Sequence, residues 1–172
     1  MRQTRASLHG SARLLAMAIA ILASPSLPAQ TVPADFLIKL ERTQCFGDCP
    51  IYTVTIDANG NVTYEGKGNV RVPGRQVDRV DVSQVAALVA TVERIGFFQL
   101  EDQYRVVRNP DGLSLHVSDL PTTYVTVTHQ GRTKRVEDYF NAPRELRELE
   151  EQIDEIAGTQ RWTRIGEHEK SR

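Results

Sequence analysis

Beyond Cys45 and Cys49 the chain has no cysteine. A zinc centre would need two more ligands, and His116, His129 and His168 are scattered rather than spaced as a ligand set, so no metal site is read from the sequence. An excess of positive charge is missing too: 21 basic residues face 22 acidic ones along 172 residues. Such a balance lacks the basic field that draws a protein to nucleic acid or to an anionic membrane surface. The nucleophile elbow and oxyanion loop of a hydrolase are absent, and no cofactor motif is found. Ser114, His116, Ser118 and Asp119 are the ingredients of nucleophilic catalysis, but they lie within six positions of one another. Triads are assembled from distant segments, so the expectation is a non-catalytic chain without a cofactor.

Long apolar runs are also scarce, and the one that exists is short. Residues 14–23 read LLAMAIAILA, preceded by Arg2, Arg5 and Arg13 without an acid and followed by SPSLPAQ. Ten apolar residues cannot cross a bilayer as a helix. A basic start, a short apolar core and a small-residue exit are the parts of a secretory signal peptide, here residues 1–29 with cleavage after Ala29, or alternatively after Ala23. No cysteine follows the apolar core and no twin arginine precedes it, which argues against a lipid anchor and against export in the folded state. Cleavage leaves 143 residues with 18 basic against 22 acidic side chains, enough for one domain. The expected location is periplasmic or secreted, with no membrane insertion after cleavage.

That compartment bears on the two cysteines. In an oxidising environment the pair in CFGDC is most simply a disulfide, and the segment between Cys45 and Cys49 must then be turned. Gly47 gives the turn its freedom and Pro50 ends it. Thioredoxin-type chemistry uses two intervening residues before a helix; here three precede a strand. A redox-active pair is kept as the alternative.

What is present in quantity is alternation. Phe36, Ile38 and Leu40 recur with period two, as do Tyr52, Val54 and Ile56, and then Val62 and Tyr64. A two-residue Asn59-Gly60 turn would mix the faces. A four-residue turn from Asp57 with Gly60 left-handed aligns Ile56 with Val62 and Val54 with Tyr64, and is expected instead. A third strand follows a Pro73-Gly74 bend. Val85, Leu88, Val89, Val92 and Ile95 then recur at helical spacing, with Asp81 or Ser83 to cap the start and Gly96 to end it. The stretch from Phe97 to Thr122 is irregular. A second hairpin turns at residues 129–132, its register open between Val127 opposite Lys134 and Tyr124 opposite Val136; His129 is expected to be solvated there. A second helix runs from about Pro143 to Ala157, with Leu146, Leu149, Ile153 and Ile156 on one side. Its acids, among them Glu145, Glu148, Glu150, Glu151, Asp154 and Glu155, are expected on a solvated face. Trp162 is expected to plug the core, and residues 163–172 to form a polar tail.

Strands then helix, twice, predict an α+β fold: an antiparallel sheet built from two hairpin-rich halves, with two helices packed on one face of a single domain over residues 30–162. The stretches ERTQCFGDCPIYTVTIDANGNVTYEG, SDLPTTYVTVTHQGRTKRVEDYF and LRELEEQIDEIAGTQRW together resemble the bacterial domain of unknown function 6438 family over about residues 35 to 162. The more specific part is Cys45, Phe46, Gly47, Cys49, Pro50 and Tyr52. The resemblance implies a single exported domain and no activity. The functional expectation is an exported binding domain for an envelope protein or another envelope component, with a thiol-redox accessory role as the alternative. Its candidate surface joins Phe46, Asp48 and Tyr52 on the stapled turn to Asp119, Thr122 and Thr123; Phe46 and Tyr52 packing inward is the competing expectation.

Overall fold

The computed structural model describes residues 31–108, 111, 114–116 and 120–163; the expected signal peptide, Ser118, Asp119 and nearly all of the expected tail lie outside these. In chain order the strands and helices are β1 (Leu37–Arg42), β2 (Ile51–Asp57), β3 (Asn61–Gly68), β4 (Gly74–Arg79), α1 (Val82–Arg94), β5 (Gln103–Tyr104), β6 (Val106–Arg108), β7 (Ser114–His116), β8 (Thr123–His129), β9 (Arg132–Asp138) and α2 (Arg144–Ala157). Seven strands form one sheet in the order β4-β3-β2-β1-β8-β9-β5, and β6 pairs with β7 separately. The fold is α+β. Every pairing in the large sheet is antiparallel except β5 with β9, which is parallel.

That parallel edge is the one departure from a purely antiparallel sheet, and it comes from the stretch read as irregular. After α1 the chain runs beside β9, where Glu137 N donates to Asp102 O at 3.0 Å and Phe140 N to Tyr104 O at 2.8 Å. Because it arrives from a helix rather than a hairpin turn, its direction is not forced to alternate.

The first hairpin has the bulged turn. Ile56 faces Val62 and Val54 faces Tyr64, and Gly60 sits at φ +81°. The Asp57 carboxylate holds the turn, accepting hydrogen bonds from Asn59 N and Asn61 N, each at 2.9 Å, and from Asn61 Nδ2 at 2.8 Å. In the second hairpin Val127 faces Lys134, closed by Gln130 and Gly131 at φ +52° and +73°. This register places Val125 against Val136 and lets the Lys134 ammonium donate to Leu100 O at 2.6 Å and to Asp102 at 2.7 Å.

Ile38, Leu40, Tyr52, Val54, Ile56, Tyr64, Val125 and Val127 form one buried face. Val85, Leu88, Val89 and Val92 of α1 and Leu146, Leu149 and Ile153 of α2 are buried in the same cluster. Each such side chain contributes about 1.5–3 kcal/mol by leaving water. Trp162 joins the core, its ring centroid 4.8 Å from that of Tyr64.

Three expectations need correction, the first being Asp154, which is not on a solvated face but largely buried against Arg42. His129 is buried, not solvated: it shares the inward parity of Val125 and Val127, stacks on Phe98, and its Nε2 lies 3.1 Å from Glu93 Oε1. Glu150 is buried rather than on the solvated face, because it follows Leu146 by four residues and precedes Ile153 by three, within the apolar stripe.

Candidate functional site

Arg42 ends β1 with the same inward parity as Ile38 and Leu40, at the point where the sheet's apolar face runs out. A guanidinium there must find acceptors. Its Nε and Nη2 donate to Asp154 Oδ2 at 2.9 and 2.8 Å, Nε also to Tyr52 Oη at 3.1 Å, and Nη1 to Thr123 Oγ1 at 3.3 Å. The other oxygen of Asp154 accepts from the Tyr52 hydroxyl at 2.6 Å and from the Thr159 hydroxyl at 2.8 Å. Strands β1, β2 and β8 and the end of α2 are thereby tied at one point.

Glu150 completes the cluster differently. Its Oε2 lies 3.7 Å from Arg42 Nη1, while its Oε1 is buried without a hydrogen-bond partner among the described residues. Burial pushes this carboxyl up to about 8, with Asp138 and Asp154 adding to the rise and Arg42 opposing it. Proximity to a cation does not keep it ionised, because the Arg42 charge is already matched at shorter range by Asp154. Arg42 shows the opposite balance: burial pulls its pKa down, and the carboxylate of Asp154 more than restores it. The Tyr52 phenol is raised by burial and by the Asp154 charge. Arg42, Tyr52 and Asp154 are held together in one hydrogen-bonded network.

Above the network opens a cleft of about 560 Å³. Three segments line it: Arg42, Thr43, Cys49 and Pro50 from the end of β1 through the stapled turn, Pro121, Thr122 and Thr123 at the start of β8, and Glu151, Asp154, Glu155, Thr159 and Gln160 from α2 and the turn beyond. The first two are pinned to each other. Thr43 N and Oγ1 donate to Thr122 O at 3.1 and 2.8 Å, and Thr122 N returns a bond to Thr43 Oγ1 at 3.0 Å. Cys45 and Cys49 are joined in a disulfide with Cα atoms 5.7 Å apart, closing the turn that precedes Pro50.

The residues singled out from the sequence separate. Thr122 and Thr123 line the cleft. Phe46 is 94% exposed on the stapled turn, with Asp48 exposed beside it. Tyr52 packs inward, fully buried, and reaches the site only through its hydroxyl. Asp119 lies outside the described residues. Arg42, Glu150, Asp154 and Thr159 were not singled out, though charges at inward positions of a strand and of a helix were a readable sign. Among the described residues no group of three or more His, Cys, Asp and Glu side chains is placed to hold a metal, and no helix is long and apolar enough to cross a membrane.

Among curated proteins none matches the chain. One protein family does, and its profile covers residues 36–157, from the buried aromatic just before β1 to the last residue of α2. The chain therefore belongs to the family described as Domain of unknown function (DUF6438).

Proposed function

We propose that this protein is an exported, periplasmic, non-catalytic domain that binds another envelope protein or envelope component through the cleft beside the stapled turn. The observation that carries the proposal is the convergence of three segments far apart in sequence, residues 42–50, 121–123 and 151–160, on one preorganised concavity. A rigid cleft costs less to occupy, because its walls need not be ordered on binding. The basic, apolar and small-residue succession at the N-terminus supports export, and a disulfide suits an oxidising compartment.

Mild crosslinking in the native envelope followed by co-purification tests this. The same specific partner should be recovered with the wild-type protein and lost when Gln160→Trp fills the cleft, with thermal unfolding unchanged. Equal recovery by the filled variant would remove the cleft from the proposal. Since Cys49 lines the cleft, a thiol-redox role is the second reading, and recovery of a mixed disulfide with a redox protein would favour it.

A further inference from the structure

We infer that the cleft takes a cationic, extended segment of a partner protein, a lysine or arginine side chain lying along the C-terminal half of α2; this rests on the binding reading above and adds the chemistry of the occupant. The cleft carries negative charge that the described residues do not neutralise. Arg42, its one basic lining residue among those described, is committed to Asp154. Glu151 and Glu155 are exposed, and neither has an ion-pair partner among the described residues. Glu155 stands in the last turn of α2, which has no basic residue and where the helix dipole disfavours acids and welcomes cations, and Glu151 lies one turn before it. Arg161 donates to Ala157 O at 2.9 Å, but it lies over the Trp162 ring and pairs with Asp78 rather than lining the cleft.

Other residues lining the cleft suit the rest of such a side chain. Pro50 and Pro121 offer apolar surface for an aliphatic stem, while the charged head meets the carboxylates. Phe46 sets the size of the occupant. A ring left 94% exposed on a disulfide-closed turn adds to binding only when a second macromolecule covers it, whereas a small cation would fill the cleft and leave Phe46 bare.

The test follows backbone amide shifts of the purified protein by NMR during titration with three probes at low salt. One is a blocked peptide of alternating lysine and valine, the second its glutamate counterpart, the third blocked lysine alone. The basic peptide should move the amides of Thr43, Thr122 and Gln160 together with Phe46. Glu151→Gln combined with Glu155→Gln should weaken it about tenfold, two rim charges' worth. Equal shifts from the acidic peptide would overturn the charge assignment while leaving the cleft a binding site. Blocked lysine binding as tightly as the peptide would overturn the macromolecular occupant. Shifts confined to the exposed face of α2, or no shift with any probe, would overturn the inference entirely; the crosslinking above, which does not depend on charge, decides separately whether the cleft binds at all.

Discussion

Arg42 is the residue on which the largest number of separate segments depend. Arg42→Ala leaves the Asp154 carboxylate without its guanidinium partner in a partly buried setting, and a loss of about 3 kcal/mol in urea-monitored stability is expected. Arg42→Lys should recover only part of this, since a point charge cannot serve Asp154, Tyr52 and Thr123 in one plane. Glu150 carries the pH prediction. Its carboxyl rises from an ordinary 4.5 to about 8 on folding, so the fold favours the protonated form. Stability from this group is full below the lower value and is lost as pH climbs through the upper one, at up to about 1.4 kcal/mol per pH unit. Asp138, also raised by burial, slopes the same way. Glu150→Gln should flatten most of that decline in unfolding measured across the window; an unchanged slope would show the carboxyl to be ionised. These roles were hard to see in the sequence for a physical reason. Arg42 and Glu150 interrupt apolar patterns that otherwise assign their faces, and a single charge in such a pattern does not reveal its partner 108 or more residues away.

Hairpins and helices were more legible, because their cues are local. The first hairpin's register follows from keeping Val54, Ile56, Val62 and Tyr64 on one side, and a one-residue slip would have exposed them. Gly60 is the fixed point of that turn. At φ +81°, with the Val80 carbonyl packed against its Cα, Gly60→Ala should cost about 2 kcal/mol or more by thermal unfolding. Within α1, Leu88→Ala should cost about 2–5 kcal/mol, since the side chain is fully buried between helix and sheet. A loss under about 0.5 kcal/mol would mean that the helix presents a different face. The second hairpin's register was undetermined by apolar pairing alone. The observed register pairs buried Val125 with Val136 and, outside the hairpin, gives Lys134 the acceptors of Leu100 and Asp102. His129 was misplaced for a related reason: nearness to a turn suggested solvent, while the strand's parity pointed it at Phe36 and Phe98.

For the whole molecule, element order implied an α+β layer, yet strand neighbours distant in sequence were not readable. That β1 pairs with β8, bringing Arg42 opposite Thr123, is a tertiary fact with no local signal. The cleft exists because of that pairing, since it sets the stapled turn beside residues 121–123. The disulfide's part in the stability of the whole is modest: replacing both Cys45 and Cys49 by serine should cost about 2 kcal/mol for so short a loop. Thiol titration of the unfolded, unreduced protein should find no free thiol. The proposal that the cleft is a recognition site is tested most directly by placing a photo-crosslinking residue at Phe46 and, separately, at Val77, which is exposed on the outer strand β4. Irradiation of living cells should give one discrete adduct from position 46, none of it from position 77, and its disappearance when Gln160→Trp fills the cleft. No adduct from position 46, or the same adducts from both positions, would contradict a recognition role for this surface.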